Sequence, residues 1–232
     1  MSYNFSNWIN TTIGEQCVVI AGQSPKGKYY NTNKNGLPFY QGKKEFSSRY
    51  IGSPTKWTTK TTKEAIAGDI LMSVRAPVGP INFSTQKICI GRGLAAIRVG
   101  EKIDKDFLFY FLLSKQGEIS GHEGAVFASI NKKQIESIKL YLPFYSEQKH
   151  IVRMLDKTFL DLNQAMINTE KNLANAHELF ESFLQNMFKS NIYGSQSVTL
   201  NNISDLIVDC EHKTAPTQKT GYPSIRTPNI GQ

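Results

Sequence analysis

The feature that most constrains this chain is a run of 44 residues, Ser146 to Lys189, without glycine or proline. Good helix formers such as Leu, Ala, Glu, Gln, Lys and Met recur through it. Its apolar residues return at helical spacing, and they are Ile151, Leu155, Phe159, Leu162, Met166, Leu173, Ala176, Phe180, Phe183 and Met187. Pro143 stands near the expected helix start and Gly194 beyond its expected end. The pattern predicts one helix of roughly 66 Å, at ~1.5 Å per residue.

Few globular domains need a helix of that length. One interpretation is a helix packed across a globular body, and the other is a spacer or coiled-coil arm that seeks a second long helix. The apolar seam passes through Thr158, Thr169 and Asn172, which argues against a long independent zipper. Polar seam positions set register and partner choice at some cost in stability. The pattern favours the arm.

Composition excludes several classes of protein. The 232 residues suit one or two domains, and 40% hydrophobic residues are enough for a core. There is no run of eighteen apolar residues, and the first ten residues lack the features of a signal peptide, so we expect no membrane span and no secretion. Cys17, Cys89 and Cys210 are scattered, which argues against a disulfide framework or zinc site and favours the cytoplasm.

The positive charge of the chain is concentrated in its first segment. Residues 1–143 carry 19 basic and 10 acidic residues, a net +9, whereas the remainder of the chain carries a net −1. Between Lys26 and Lys63, nine basic residues stand against the single acid Glu45, with aromatic residues interleaved. A charge run is often only a solvated face, but this imbalance favours a polyanionic partner.

Short β-type runs fill the same segment and predict a curved, mainly antiparallel sheet or barrel. The predicted strands lie in 12–21, 37–40, 68–74, 81–84, 88–90, 94–99 and 138–142. Asp106–Ser114 fits a short helix capped by Asp104 or Asp106, and another helix is expected near Asn131. The predicted fold class is therefore α+β, a mainly-β domain with short helices followed by one long α-helix.

The stretch after the long helix parallels the start of the chain. Ile13 matches Leu200, and Gly36-Leu37-Pro38 matches Gly221-Tyr222-Pro223, at separations of 187 and 185 residues. We interpret residues 191–232 as the start of a second copy of the first domain.

Two local patterns mimic catalytic motifs without completing them. Gly22 to Lys28 fits most of a phosphate-binding G-x-x-x-x-G-K, but the following Ser/Thr and helix are missing. Asp209, Glu211 and Lys213 resemble half of a nuclease metal site without a supporting acid on a strand. No glycine motif for a methyl donor occurs, and the four histidines have unrelated contexts. We expect no active site and no metal, nucleotide or methyl-donor cofactor.

Four blocks carry a family resemblance: GDILMSVRAPVG, ICIGRGLAAIRV, FLFYFLLSKQGEI and SINKKQIESIKLYLPFYSEQKHIVRMLD. Their order resembles the specificity subunit of type I restriction–modification enzymes. The L-P-x-x-x-E-Q-x-x-I junction, from Leu142 to Ile151, resembles the entry to the conserved spacer helix of that family. The resemblance implies a target recognition domain at 1–143, a spacer helix at 144–190 and the opening of a second recognition domain at 191–232.

The family pattern also implies a function. The recognition domain would dock in the major groove of one DNA half-site, and the helix would set the distance to the other. The helix would also dock methyltransferase subunits, which bring in the restriction subunit. A full family member has two recognition domains and two long helices, so we expect this chain to pair with itself or to be a shortened subunit. The alternatives are a protein-interaction adaptor, an inactive subunit with only nonspecific DNA affinity, and a nuclease or NTPase built on the incomplete motifs.

The candidate DNA contacts fall into three grades. Phosphate contacts are expected from basic residues, namely Lys26, Lys28, Lys43, Lys44, Arg49, Lys56, Lys132 and Lys133. Arg75 and Arg92, in Gly/Pro loops beside strands, are candidates for base edges because Arg binds guanine bidentately. Ser73, Tyr29 and Tyr30 are secondary candidates. The alternative for each lysine is that it only forms part of the solvated surface. The alternative for Arg75 is that it pins the Pro77–Pro80 loop.

The apolar stripe of the long helix is expected to bind a partner helix. Its members are Leu155, Leu162, Met166, Leu173, Phe180 and Phe183. The simplest partner is the same helix of a second chain, antiparallel about a two-fold axis, in a homodimer.

Overall fold

The computed structural model describes residues 8–120, 129–189 and 198–206. The chain divides into two units, Met1–Ile167 and Asn168–Gln232. The strands are β1 (Ile9–Thr12), β2 (Cys17–Ala21), β3 (Tyr30–Asn31), β4 (Leu37–Tyr40), β5 (Trp57–Thr58), β6 (Glu64–Ala65), β7 (Ile70–Ser73), β8 (Ile81–Phe83), β9 (Ile88–Ile90), β10 (Leu94–Val99) and β11 (Lys139–Leu142). The α-helices are α1 (Ile13–Gln16), α2 (Lys105–Ser114), α3 (Gln116–Ser120), α4 (Lys132–Glu136), α5 (Tyr145–Lys189) and α6 (Leu200–Ile203).

The strands of the first unit form three sheets. The four-stranded sheet has the order β2-β10-β7-β8 and is antiparallel throughout. The five-stranded sheet has the order β3-β5-β4-β9-β6, in which β4 and β9 run parallel. β1 pairs with β11, so the two ends of the domain meet. The predicted fold class, a mainly-β domain followed by a long helix, is confirmed.

The two central strands of the four-stranded sheet, β10 and β7, are covered on both faces. Successive side chains of a strand point to opposite faces. In β7, Ile70 and Met72 accordingly pack in the apolar cluster that includes α2, whereas Leu71 packs with Ile88 and Ile90 of the five-stranded sheet. Burial on both faces explains why β7 and β10 appear in the sequence as continuous apolar runs.

The predicted strand at 12–21 is wrong in one respect, because one helical turn interrupts it. Thr12 is extended at the N-cap of α1, and its amide donates to the Glu15 carboxylate at 3.1 Å. Ile13 is completely buried, so this turn is held by packing. Asp104 caps α2, with its carboxylate accepting from the amides of Asp106 and Phe107.

The helix α5 covers almost the whole predicted range. Only Gln148 and Val152 are buried within it, and both lie in its first two turns. In the part of the chain that the structure describes, no helix is both long enough and apolar enough to cross a membrane.

The second unit contains one short helix that resembles α1. Thr199 is the extended N-cap of α6 and Leu200 its first residue, as Thr12 and Ile13 are for α1. The offset is the 187 residues that the sequence repeat predicts. The second matched block, Gly221-Tyr222-Pro223, lies outside the described residues.

Candidate nucleic-acid interface

Three strand ends meet around a polar cavity of about 260 Å³. We call it the arginine cavity, and its lining residues are Gln41, Gly42, Lys43, Ser73, Arg75, Ala76, Arg92 and Gly93. Because β4 and β9 are parallel, the segments that follow them emerge at the same edge. The structure therefore places Lys43, Arg75 and Arg92 around one cavity. From the sequence, each of them was predicted separately as a DNA contact.

Backbone hydrogen bonds hold the cavity together. The Gly93 amide donates to the Gln41 carbonyl at 3.0 Å, and the Val74 amide donates to the Gly93 carbonyl at 3.0 Å. The Gly91 amide donates to the Tyr40 carbonyl at 2.8 Å. A Cβ on Gly93 would overlap the Gln41 carbonyl oxygen, so glycine is required for this close approach.

The loop that carries Arg75 is pinned by Ser73. The Ser73 hydroxyl lies 3.1 Å from the Arg75 carbonyl oxygen and 3.0 Å from that of Pro77. Its amide donates to the Pro80 carbonyl, and the Gly79 amide donates to the Ser73 carbonyl. Since Ser73 is only 3% exposed, we correct the prediction that it contacts DNA. It performs the loop-pinning role that was the alternative for Arg75.

Four exposed polar side chains line the cavity without a partner among the described residues. Gln41, Lys43, Arg75 and Arg92 are all exposed. Among residues 8–120, 129–189 and 198–206, none forms a salt bridge or a side-chain hydrogen bond with these four side chains. Unpaired cations on a rigid backbone are suited to an anionic ligand.

The other predicted phosphate contacts are spread over the surface. Lys26, Lys28, Lys44, Lys56 and Lys133 are exposed, and Lys132 is exposed but pairs with Glu136 at 3.4 Å. The chain enters α4 beside the Arg75 loop, because the Ile130 amide donates to the Val74 carbonyl.

The two candidate tyrosines differ in their surroundings. The ammonium nitrogens of Lys28 and Lys60 lie over the Tyr29 ring, 5.2 and 5.6 Å from its centroid. Tyr30 stacks on Phe39, and its hydroxyl donates to the Pro25 carbonyl at 2.8 Å. The Tyr30 side chain therefore serves the fold of its own loop.

Arg49 was predicted to contact phosphate, and the structure gives it other partners. Its guanidinium donates to Asp106 at 2.8 Å, to the Tyr110 hydroxyl at 2.9 Å and to Asp156 on α5 at 3.1 Å. It also lies 5.2–5.8 Å from the ring centroids of Phe83, Phe109 and Tyr110. Burial lowers the pKa of Arg49, but its bonds to Asp106, Tyr110 and Asp156 raise that pKa above its usual value. We therefore remove Arg49 from the candidate DNA contacts.

Arg49 belongs to a polar cluster that attaches α5 to the domain. We call this cluster the helix junction, and its residues are Arg49, Asp104, Asp106, Tyr110, Gln148, Lys149 and Asp156.

The hydrogen bonds of Gln148 account for the Gln of the Glu-Gln motif. It is completely buried, and its amide oxygen accepts from the Asp104 amide at 2.7 Å. Its amide nitrogen donates to the carbonyls of Lys102 and Pro143 at 3.0 and 2.9 Å. The neighbouring Lys149 pairs with Asp104 at 3.0 Å. Burial raises the pKa of Asp104, but Lys149 and the capped amides lower it below its usual value.

Most of the predicted stripe on α5 is exposed. Leu162, Met166, Leu173, Phe180 and Phe183 are 54–62% exposed. Leu155 differs, because it is half-buried and lines an apolar groove of about 490 Å³ with Trp8, Phe107, Tyr110 and Phe159 among others. Among the described residues, no group of three or more His, Cys, Asp or Glu side chains could hold a metal ion.

Comparisons with known proteins identify the family. Residues 6–172 match the family model of the type I restriction modification DNA specificity domain. A putative type I restriction enzyme MjaX specificity subunit from Methanocaldococcus jannaschii is 48% identical over 140 residues, which is 59% of this chain and 32% of that protein.

Two solved structures are also similar to this chain. The HsdS subunit from Thermoanaerobacter tengcongensis aligns with a TM-score of 0.64 and 37% identity, over 70% of this chain and 40% of that one. A structure of complex assembly and conformational transition in a type I R-M system aligns with a TM-score of 0.72 and 33% identity, over 83% and 48%. This chain thus spans 32–48% of the length of these relatives. It belongs to the type I restriction–modification specificity subunits and contains one target recognition domain.

Proposed function

We propose that this chain reads one DNA half-site for a type I restriction–modification complex and has no catalytic activity of its own. The observation that carries the proposal is the arginine cavity, where Lys43, Arg75 and Arg92 face one recess and have no acidic partner in the part of the chain that the structure describes. Lysines on the surrounding surface bind phosphates, which position the protein without specifying sequence. Arg75 and Arg92 bind base edges in the major groove. The phosphate-binding lysines are Lys26, Lys28, Lys43, Lys44, Lys56, Lys132 and Lys133.

The recognition domain at 1–143 carries the DNA affinity in this proposal, the spacer helix spans 144–190 and residues 191–232 begin a second recognition domain. The helix docks methyltransferase subunits in the cytoplasm, and the restriction subunit joins through them. The resemblance of the chain to specificity subunits supports this assembly.

The basic test is a gel shift of the full chain with random duplex at increasing salt. If the chain binds DNA, the logarithm of the association constant should fall linearly with the logarithm of the salt concentration, with a slope set by the number of neutralised phosphates. An adaptor whose basic face is incidental would bind weakly without this dependence. An inactive subunit would show the slope but no preference among sequences.

We further propose that α5 pairs with the same helix of a second chain. Burying half of each of the five exposed stripe residues would contribute about 4–7 kcal/mol, at ~1.5–3 kcal/mol per fully buried side chain. That amount is comparable to the stability of a small domain. An antiparallel two-fold pair places two recognition domains at opposite ends and predicts a palindromic target.

Light scattering should therefore report about 52 kDa, twice the 26.1 kDa chain. Leu162→Glu with Leu173→Glu should produce a monomer whose recognition domain remains folded. A matched double substitution at exposed polar positions on the opposite face of the same helix, Lys157→Ala with Asn175→Ala, should leave the dimer intact. A wild-type monomer at tens of micromolar would contradict the pairing.

A further inference from the structure

We propose that Gln41 is a base-reading residue of the arginine cavity and recognises adenine beside the bases that Arg75 and Arg92 contact. This inference rests on the proposed DNA-reading function and deepens it, because it assigns a residue and a base that the basic residues alone do not provide.

The first argument is position. Gln41 follows directly after β4, and its carbonyl accepts from Gly93, the residue after Arg92. On the other side of Gly93, its carbonyl accepts from the Val74 amide, next to Arg75. Gly93 therefore lies between Gln41 and Arg75 and fixes the separation of their backbones. Residues held this closely reach neighbouring base pairs, which are ~3.4 Å apart along a strand.

The second argument is availability. The backbone of Gln41 is engaged in the frame, while its side chain is exposed and lines the cavity. Within the described residues, no side chain or backbone group hydrogen-bonds its amide. Gln148 is the opposite case, since its amide makes three hydrogen bonds inside the protein. A recognition residue requires a backbone that is fixed in position and a side-chain amide that is free to bind the ligand.

The third argument is chemistry. Lys43, Arg75 and Arg92 are donors only, so they suit phosphate oxygens and the N7 and O6 acceptors of guanine. Among the described residues whose exposed side chains line the cavity, Gln41 alone supplies an acceptor together with a donor. Adenine presents an acceptor at N7 and a donor at N6, and glutamine binds this pair bidentately. Gln41 thus extends the cavity from reading guanine to reading adenine.

The test is selection from randomised duplex by the full chain together with its methyltransferase subunit. Wild type should select adenine at one position next to a guanine. Gln41→Ala should reduce that adenine preference roughly 5- to 150-fold, the equivalent of the ~1–3 kcal/mol per bidentate pair. The salt slope measured with random duplex should stay unchanged, because the substituted side chain is neutral and no phosphate contact is lost. Gln86→Ala, at an exposed glutamine outside the cavity, is the matched control.

A second variant gives a positive readout. Gln41→Glu replaces the amide with an acceptor, and glutamate accepts from the N4 amino group of cytosine. The same position should then change from adenine to cytosine. If wild type binds no duplex, the proposed function fails and the role of Gln41 fails with it. If wild type is selective and Gln41→Ala keeps the same adenine preference, only the role of Gln41 is overturned.

Discussion

The helix junction and the arginine cavity are two polar clusters of the first unit, one with paired charges and the other with unpaired cations. In the junction, Arg49 retains 27% of its side-chain exposure and bonds to two carboxylates and a hydroxyl. In the cavity, Arg75 and Arg92 are exposed and unpaired within the described residues. The same type of residue thus stabilises the protein in one place and is available for a ligand in the other.

The placement of acidic residues produces this difference. Asp106 and Asp156 pair with Arg49, and the buried Asp69 forms a bidentate pair with Arg98 at 2.9 and 2.8 Å. Among the described residues, no acidic side chain lines the cavity. The four arginines of the recognition domain therefore divide into two structural and two accessible residues, and the predictions below test that division.

The largest expected effect is on stability at the junction. Arg49→Ala leaves Asp106, Tyr110 and Asp156 without their shared donor. Removing one partner of a buried pair costs ~3–5 kcal/mol, and partial exposure reduces this to about 2–3 kcal/mol. Urea unfolding measures the loss. Arg92→Ala is the matched control and should change the free energy of unfolding by less than ~0.5 kcal/mol. If Arg49→Ala and Arg92→Ala lose the same free energy of unfolding, the distinction between a structural and an accessible arginine is wrong.

The second prediction concerns discrimination at the cavity. Arg75→Ala should reduce the preference for the best sequence over others by ~1–3 kcal/mol, because a bidentate contact to guanine is lost. Competition binding with matched and mismatched duplexes measures this change. The thermal midpoint should stay at the wild-type value, since Ser73 and not Arg75 holds the loop. If Arg75→Ala leaves the sequence preference unchanged, Arg75 does not contact bases and is an ordinary surface residue.

The third prediction separates affinity from discrimination. Lys43→Glu with Lys44→Glu should weaken binding to all sequences alike and reduce the salt slope by roughly 2, because two phosphate contacts are lost. A salt titration with two unrelated duplexes measures both quantities. Lys171→Glu with Lys189→Glu, on α5, is a control that should leave the slope unchanged. A loss confined to one duplex would assign Lys43 or Lys44 to base contact.

The smallest effect is a pH dependence at the junction. The pKa of Asp104 is lowered in the folded protein, so its stabilisation is present above the unfolded pKa of about 3.9 and is lost as the pH falls through the folded pKa. Asp104→Asn keeps an acceptor for the helix cap but removes the charge opposite Lys149. Urea midpoints of wild type and variant should differ at pH 5 and converge toward pH 2. A difference that is constant with pH would assign the effect to packing.

Periodic patterns predicted most of the fold, but they did not predict which of the candidate cations are paired inside the protein. β4, β9 and β10 match the predicted strands residue by residue, because buried alternating or apolar runs are a local signal. The helix α1 was missed because one turn is too short for periodicity. The cations of the site were identifiable, but their pairing was not, since Asp106 and Asp156 lie 57 and 107 residues from Arg49. The sequence did not single out Gln41, for which we propose adenine recognition, and the glycines on both sides of Arg92 are the signal of close backbone approach that could have located it.

The backbone frame of the arginine cavity has a consequence for altering specificity. The bonds that join Gln41, Gly93 and Val74 use only main-chain atoms. The side chains at 41, 75 and 92 are exposed and take no part in these bonds, so most substitutions there should change the free energy of unfolding by less than ~0.5 kcal/mol. A combinatorial library randomised at these three positions would consist largely of folded members, and each could present a different donor and acceptor pattern to the same stretch of duplex. Such a library would turn one scaffold into a set of readers with separate DNA preferences.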